Sequence, residues 1–475
     1  MEFIVVLDER LNIPLYQQLY ESLKKAIYEG TLTPGTKLPS VRQMARAHNI
    51  SKMTVESGYQ QLLAEGYIES RARSGFYVVE IDNLEELNSD RQFLEYKYTN
   101  AAHLHPQDSI LYNFHGSEID ISTFPIRNWR RCMNEAMDNY YDNHAFYGEP
   151  QGEYDLRIEI ANYLQQSRTV KCMPEQIIVG SGLQQTISFL CILLSKDGNR
   201  IAWEDPGYSG ARSVCTDHGW EVVPISLEED GINIDELRNS DANAVLVTPA
   251  HQYPYGMVMP IGKRIKLLEW ARQNGSVILE EDYDGEFRYG IKPIPSLQGM
   301  DTHGSVIYIG NFSKAFSPAI RMNYMVLPYR LLRRYHDLKL NKYPSPVSRI
   351  QQRAMQIFMQ KGYWAKHVRK MRTVYAKKQA VLIEALRKYM GDRIRIMGQF
   401  AGLHLIIEVD TWKKQNELIK EASKHGVKVY PVERGQLEEN MHPQMRPRIL
   451  LGFGGLSPLQ INEGVMIIAN VWFGD

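Results

Sequence analysis

The sequence has only four cysteines among its 475 residues, and no two of them form a C-x-x-C pair. This scarcity excludes a disulfide-stapled scaffold and a cysteine-ligated zinc site, and it favours a reducing compartment. No apolar run approaches about 18 residues and no basic-then-apolar leader is visible, so we expect a cytoplasmic protein without a membrane partner. The formal net charge is zero, which excludes a uniformly basic nucleic-acid coat but allows a basic face on one domain.

Residues 14–79 show the pattern of a small helical domain that ends in a β-hairpin. An apolar stripe over 15–27 predicts a first helix, Ser40 can cap a second helix over 41–47, and Ser51 can cap a third that ends near Glu65. Two short strands then flank a turn at 73–75. This order predicts a winged helix-turn-helix, whose last helix enters the major groove of double-stranded DNA.

The charge of this segment supports a DNA-binding interpretation. From 37 to 73 it carries six Lys/Arg against three acids. A basic face is often merely solvated, but its coincidence with a helix-turn-helix pattern favours contacts with DNA. The start of the third helix reaches base edges, while arginines and the wing turn contact phosphates. The candidate DNA-binding residues are Arg42, Lys52, Met53, Thr54, Arg71, Arg73, Ser74 and Gly75.

Several motifs of this region resemble the GntR family of bacterial regulators. They are PLYQQLYESLKKAI, GTLTPGTKLPSVR, SKMTV and LLAEGYIESRARSGFYV. The resemblance implies a transcription factor that binds paired half-sites of a DNA operator as a dimer. We assign 1–79 to this domain and the acidic, aperiodic stretch 80–112 to an interdomain tether. His103 and His105 in the tether lack a third ligand, so we expect no metal site.

From residue 113 onward, short apolar strands alternate with helices. Strands are predicted to begin at 177, 200, 221, 244, 277 and 306, and helical segments separate most of them. The alternation predicts an α/β domain over 113–475 with a mostly parallel sheet covered on both faces. Further strands beyond residue 392 predict a smaller C-terminal α+β subdomain.

Polar clusters follow five of these strands, so we expect them to meet at the carboxyl edge of the sheet. One cluster contains Lys314, directly after a buried strand. Desolvation there would lower the pKa of the amine, and a neutral amine condenses with an aldehyde. A lone lysine is more often an ordinary surface residue, but Ser313 and Arg321 add phosphate ligands beside this one. Because Glu281 or Asp282 could pair with a pyridine nitrogen, the cluster predicts a pocket for pyridoxal 5′-phosphate.

Two tyrosines and a glycine-rich turn extend this pocket. Tyr283 could hydrogen-bond the phenolic oxygen of the cofactor, and Tyr208 could stack on its ring. The glycines of GSGLQQ (180–185) open a helix whose backbone N–H groups can hold a phosphate.

The order and spacing of these motifs resemble fold-type I pyridoxal-phosphate enzymes, the aspartate aminotransferase superfamily. Behind a GntR domain, the chain resembles the MocR/GabR family of regulators, with further matches at FYGEPQGEYDLR (146–157), TPAHQYPYG (248–256), YIGNFSKAFSPAIR (308–321) and RPRILLGF (446–453). The resemblance implies a seven-stranded, mostly parallel sheet and a domain-swapped homodimer. The roles that it implies are a Schiff base at Lys314, phosphate contacts from Leu183, Gln184, Ser313 and Arg321, a phosphate contact from Tyr147 across the dimer, and an effector carboxylate held by Arg446.

Two alternatives stay open at the level of sequence. Glu281 stands where the family usually has Asp, so either Glu281 itself or Asp282 after a small shift pairs with the ring nitrogen. The leading functional interpretation is a regulator that senses an amino compound or pyridoxal phosphate through Lys314. The alternative is a working aminotransferase with an accessory DNA-binding domain.

Overall fold

The computed structural model describes residues 7, 13–81, 110–139, 146–289, 294–432 and 446–474. The chain forms two compact units, Met1–His105 and Pro106–Asp475. His103, His105 and almost all of the tether predicted over 80–112 lie outside the described residues. Within the described residues, no group of three or more His, Cys, Asp or Glu side chains is arranged to hold a metal ion. Nor does any helix there have the length and apolar character needed to cross a membrane.

The first unit has the predicted order of three helices and a hairpin. Its elements are α1 (Leu15–Tyr28), α2 (Val41–Ala47), α3 (Lys52–Ala64), β1 (Ile68–Arg71) and β2 (Gly75–Val78). The apolar stripes of the helices and the inner face of the hairpin share one core. Its residues include Leu19, Leu23, Ile27, Leu38, Met44, Val55, Tyr59, Leu62, Ile68 and Val78.

Side-chain caps fix the starts of α2 and α3. The Ser40 hydroxyl accepts a hydrogen bond from the backbone N–H of Gln43, and the Gln43 side chain accepts from the Ser40 N–H at 2.9 Å. The Ser51 hydroxyl likewise accepts from the Thr54 N–H at 3.0 Å. These caps satisfy N–H groups that have no partner within the helix, each contributing about 1 kcal/mol.

The second unit opens with β3 (Tyr112–Asn113), α4 (Ile126–Asn139) and α5 (Tyr154–Arg168). A large sheet follows, made of β4 (Ile177–Gly180), β5 (Arg200–Asp205), β6 (Glu221–Glu228), β7 (Gly231–Ile232), β8 (Ala244–Val247), β9 (Val277–Asp282), β10 (Val306–Asn311) and β11 (Asn323–Val326). The strand order is β4-β11-β10-β9-β8-β5-β6-β7. The five consecutive strands β10, β9, β8, β5 and β6 run parallel to one another, which confirms the predicted mostly parallel sheet.

Among the described residues this sheet has eight strands, and the count of seven implied by the family resemblance is therefore wrong by one. The extra strand is the two-residue β7, which folds back antiparallel on β6 with Leu227 opposite Ile232. Gly231 permits this reversal because its φ of 122° is open to glycine. The individual strand predictions also omitted β11, which runs antiparallel between β10 and β4. It is only four residues long, and only a 3-10 turn at Pro318–Ile320 separates it from β10, so the alternation of strands with α-helices does not reveal it.

Helices cover both faces of the large sheet. They are α6 (Leu183–Leu194), α7 (Ser209–Asp217), α8 (Ile234–Arg238), α9 (Ile261–Asn274), α10 (Leu297–Met300), α11 (Tyr329–Asp337), α12 (Arg349–Gln360) and α13 (Tyr363–Met390). Alternate strand residues point to opposite layers. Ile307 and Leu279 pack in the core that contains α6, α7 and α11, whereas Ile278 packs in the core that contains α8 and α9.

A smaller α+β subdomain completes the second unit. It contains β12 (Ile394–Met397), β13 (His404–Val409), α14 (Gln415–Lys424), β14 (Val427–Lys428), β15 (Tyr430–Pro431), β16 (Arg448–Gly452) and α15 (Pro458–Phe473). Four strands form a sheet in the order β12-β13-β16-β15. The opening strand β3 pairs with β14, and the Tyr112 hydroxyl donates to the Glu463 carboxylate at 2.9 Å. The first residues of this unit therefore pack on its C-terminal subdomain.

Candidate cofactor site and DNA-binding surface

The carboxyl ends of β5, β8, β9 and β10 lie side by side at one edge of the large sheet. In the parallel register, Ile309 of β10 stands opposite Glu281 of β9. The turn that follows β10 therefore comes close to the residues at the end of β9. This is the edge at which ligands bind in open α/β sheets.

Lys314 lies in that turn and is half-buried. Its Nζ is 4.8 Å from the centre of the Tyr283 ring. Burial lowers the pKa of the amine, although the carboxylates of Asp284 and Glu281 act in the opposite direction. The amine thus loses its proton more readily than that of a surface lysine, which favours condensation with an aldehyde.

The two acids that the sequence left open lie on opposite faces of β9, as consecutive strand residues must. Asp282 faces away from α6 and α7, and its Oδ2 lies 2.5 Å from both Arg168 Nε and the Tyr308 hydroxyl. Glu281 faces the other way. Burial raises the pKa of Glu281 to about 8, against the opposing charge of Lys314. Glu281 is therefore the acid whose charge is coupled to the lysine, whereas Asp282 belongs to a buried ion pair.

A trio made of the buried His251 and Asp284 and the half-buried Tyr283 adjoins the lysine. The Nδ1 of His251 is 3.0 Å from Asp284 Oδ1 and 2.8 Å from the Tyr283 hydroxyl. The His251 and Tyr283 rings stack with centroids 5.6 Å apart. Burial alone would raise the pKa of Asp284, but its interactions with His251 and Lys314 lower it. Sequence reasoning gave His251 and Asp284 no role, although both stand in polar clusters at adjacent strand ends.

Glu204, near the end of β5, is a further buried acid that the sequence interpretation missed. Its Oε2 accepts a hydrogen bond from the Thr248 hydroxyl at 2.8 Å, while its Oε1 has no partner among the described residues. Burial raises the pKa of Glu204 to about 7, and its charge contributes to the raised pKa of Glu281. The edge of the sheet thus holds two carboxyl groups that retain a proton near neutral pH.

The turn before α6 and the Arg321 guanidinium together form a narrow cradle. A Cβ at Gly182, where φ is 127°, would lie 2.6 Å from Nη2 of Arg321. The Gly182 N–H donates to the Asn323 amide oxygen at 2.9 Å, and the Asn323 amide donates to the Thr186 hydroxyl at 2.8 Å. An exposed guanidinium beside the N-terminus of a helix offers the donors that a phosphate requires. The sequence analysis did not identify Asn323 because this residue lies on β11, the strand that was not predicted.

The other predicted cofactor residues surround this cradle. Leu183 and Gln184 form the first turn of α6, and Ser313 is half-buried next to Lys314. Tyr208, which is 40% exposed, immediately precedes α7. Burial raises the pKa of Tyr208, the charge of Glu281 adds to that effect, and Arg321 opposes it. The pKa of Tyr208 therefore depends on charges both at the acidic edge and in the cradle.

Two further predicted site residues, Tyr147 and Arg446, are exposed. Tyr147 is 89% exposed. Arg446, two residues before β16, pairs with the carboxylate of Asp410 at 3.0 Å, and both side chains are more than half exposed. The end of β16 that approaches the site is Gly452, which pairs with His404. At about 3.3 Å per residue, six residues place Arg446 roughly 20 Å from that end.

The predicted DNA-binding residues lie on the outer surface of the first unit. Arg42, Lys52, Met53, Arg73 and Ser74 are exposed, while Thr54 and Gly75 are half-buried. At the wing turn, Arg73 has a left-handed φ of 61° and Gly75 has a φ of 115°. Arg71 pairs with Glu69 at 2.6 Å, and its guanidinium lies 4.4 Å from the centre of the Tyr77 ring. The wing thus presents an ordered basic edge next to α3.

Each of the two units matches a known protein family. The model of bacterial regulatory proteins of the gntR family matches residues 15–78, and the model of the aminotransferase class I and II family matches residues 120–441. The uncharacterized HTH-type transcriptional regulator YdeL of Bacillus subtilis is 40% identical over 475 residues, covering 99% of this chain and 100% of YdeL. The probable rhizopine catabolism regulatory protein MocR of Rhizobium meliloti is 32% identical, covering 97% of this chain and 94% of MocR.

A solved structure shows the same fold in the second unit. Kynurenine aminotransferase of Pyrococcus horikoshii, crystallised in complex with PMP, matches with a TM-score of 0.66 and 23% identity, covering 81% of this chain and 93% of that chain. The cofactor of the aminotransferase class I and II domain is pyridoxal phosphate. The groups present fit it, because a desolvated lysine, a protonated buried acid and a glycine-arginine cradle correspond to its aldehyde, ring nitrogen and phosphate. The chain is thus a transcriptional regulator of the MocR type, belonging to the family in which a GntR DNA-binding domain precedes an aminotransferase class I and II domain.

Proposed function

We propose that this regulator binds a primary amino compound, or pyridoxal phosphate itself, at Lys314 and converts that binding into a change of affinity for its DNA operator. The observation that carries the proposal is the position of Lys314 among the buried acids, with its amine pKa lowered by burial. When bound, the cofactor supplies an aldehyde that reacts with amines and a ring that withdraws electrons. A ligand changes DNA binding only if it binds two arrangements of the protein with different affinities.

The roles of the acidic edge follow from its contacts. Lys314 would hold the cofactor at its aldehyde carbon. Glu281 would share a proton with the ring nitrogen, a role supported by its raised pKa and by the ion pair that Asp282 forms with Arg168. The Tyr283 hydroxyl would donate a hydrogen bond to the phenolic oxygen, and its contact with His251 orients that hydroxyl.

The roles of the cradle concern orientation. The backbone N–H groups of Leu183 and Gln184, the Ser313 hydroxyl and the Arg321 guanidinium would hold the phosphate, and Tyr208 would stack on the ring. Each of these groups would fix one end or face of the cofactor, so that its reactive carbon would stay beside Lys314. The effector contact implied for Arg446 is left out of the proposal, because its guanidinium pairs with Asp410 on the surface.

We also propose the organisation in which these parts operate. Residues 1–79 bind DNA and residues 80–112 connect this domain to the effector domain. Residues 113–475 form the effector domain, whose C-terminal subdomain begins at about 392. The separate hydrophobic cores of the two compact units support this division. The exposure of Tyr147 suits a phosphate contact across a domain-swapped homodimer. We also assign the protein to the cytoplasm.

The test is DNA binding by the full-length protein, measured first with pyridoxal phosphate alone and then with a panel of amino compounds. The wild type is compared with Lys314→Ala and with Lys196→Ala, whose lysine is exposed on the surface. We expect a visible absorption band from the bound cofactor and a ligand-dependent DNA response in the wild type and Lys196→Ala, both lost in Lys314→Ala. An unchanged band and response in Lys314→Ala would refute the site.

A catalytic aminotransferase is the second candidate function. It is favoured by the coexistence of Lys314, Glu281 and the His251–Asp284 pair, since these groups can move and hold protons at a reacting centre. Repeated turnover of an amino donor with a keto acid, measured on the purified protein, would support it. A single stoichiometric reaction that stops after one equivalent supports the sensor.

A further inference from the structure

Met53 is a large apolar side chain that stands almost fully in water. It is 74% exposed, at the second position of α3. The buried face of this helix consists of Val55, Gly58, Tyr59 and Leu62, and Met53 precedes Val55 by two residues. At about 100° per residue, this spacing places Met53 on the side of the helix opposite the core. Core packing therefore does not account for a methionine at this position.

The neighbours of Met53 on the outward face are polar. Glu56, Ser57 and Gln60, at i+3, i+4 and i+7, are all exposed, and so is Lys52. A docking surface for another protein would need a contiguous apolar patch, which this face lacks. A single apolar group among hydrogen-bonding groups is instead complementary to the major-groove edges of DNA bases, which carry hydrogen-bonding groups and isolated methyl groups.

The position is also one that reaches bases. In a helix-turn-helix, the N-terminal residues of the second helix contact base edges. Ser51 caps this end, accepting a hydrogen bond from the Thr54 N–H at 3.0 Å, so the first turn that carries Met53 is ordered. Among the four bases, only thymine presents an apolar group in the major groove, the C5 methyl.

We propose that Met53 determines specificity by packing its thioether against the C5 methyl of one thymine in each operator half-site. The argument depends on the GntR domain and not on the proposed effector response. We assign Lys52 beside it to a phosphate of the same half-site, where it would contribute charge without base preference.

The test begins with an operator selected from a random pool of duplexes by the full-length protein. Each thymine of a half-site is replaced in turn by uracil, which lacks only the methyl, and the Kd is measured at one fixed salt concentration. We expect one uracil position per half-site to weaken wild-type binding about fourfold, the loss that corresponds to one buried methyl. The same replacement should have no effect on Met53→Ala.

The matched control is Lys52→Ala, which should weaken binding to every duplex while keeping the wild-type ratio of thymine to uracil affinity. Circular dichroism of both variants checks that the helices remain folded, which the exposure of the two side chains favours. The proposal is overturned if no thymine in the half-site is sensitive to uracil. It is equally overturned if Met53→Ala keeps the wild-type sensitivity.

Discussion

Substitution of the two adjacent acids of β9 should shift stability in opposite directions. Burial raises the pKa of Glu281 to about 8 in the folded protein, whereas an unfolded glutamate has a pKa of about 4.3. The folded state therefore binds the proton more tightly, and its stability falls as the pH rises between these values. The loss reaches roughly 5 kcal/mol well above pH 8, of which about 2 kcal/mol falls between pH 6 and pH 8.

Glu281→Gln removes this titration without a large change of shape. We expect the variant, freed of cofactor, to be more stable than the wild type at pH 8 and to show a decline between pH 6 and pH 8 that is smaller by about 2 kcal/mol, since other buried acids such as Glu204 keep their own contribution. Asp282→Asn should do the reverse, because it leaves the buried guanidinium of Arg168 without its carboxylate partner. Breaking such a buried pair costs about 3–5 kcal/mol, and here at both pH values.

Urea unfolding followed by tryptophan fluorescence measures both effects. All seven tryptophans lie beyond residue 105, so the signal reports only the second compact unit. Glu269→Gln, an exposed change on α9, is the control and should stay within about 0.5 kcal/mol of the wild type. The reasoning fails if Glu281→Gln keeps the wild-type pH dependence, or if Asp282→Asn is as mild as the control.

Three further predictions concern the cradle, the surface arginine and the DNA-binding helix. Gly182→Ala should weaken cofactor binding at least tenfold in a fluorescence titration, because the added Cβ meets the Arg321 guanidinium. Gly262→Ala, whose added Cβ has open space around it, should bind the cofactor normally. Equal affinities of the two variants would contradict the cradle. Arg446→Ala should leave the ligand-dependent DNA response intact and change stability by less than about 1 kcal/mol, since its ion pair is exposed. A lost response would restore Arg446 to the effector site. Lys52→Ala should reduce the slope of log Kd against log salt by about one, and an unchanged slope would remove it from the phosphate contacts.

The elements that the sequence revealed are those with strong local signals. The helix-turn-helix follows from the caps at Ser40 and Ser51, which need only neighbouring residues to form. The site edge follows from polar residues after buried strands. The face on which an acid lies is also implicit in strand alternation, so the separation of Glu281 from Asp282 was accessible before the structure was known.

The partners of these acids were not accessible in the same way. Arg168 ends α5, in a segment without a recognisable motif, and it meets Asp282 only because the helix packs against the sheet. The surface pairing of Arg446 with Asp410 likewise depends on where β16 begins, which motif spacing does not fix to one residue. Side-chain contacts between distant segments require the packed fold, and they decide which of several candidate groups reaches a site.

The pairing of β3 with β14 has a consequence for how the chain matures. The strand that opens the second unit finds its partners more than 300 residues later, since Tyr112 hydrogen-bonds Glu463 at a sequence separation of 351. During synthesis the first compact unit can fold as soon as it emerges, because all fully buried residues of its core precede residue 80. The hydrogen bond between Tyr112 and Glu463 forms only when α15 has left the ribosome. A nascent chain therefore has a folded GntR domain before the start of its second unit is held in place.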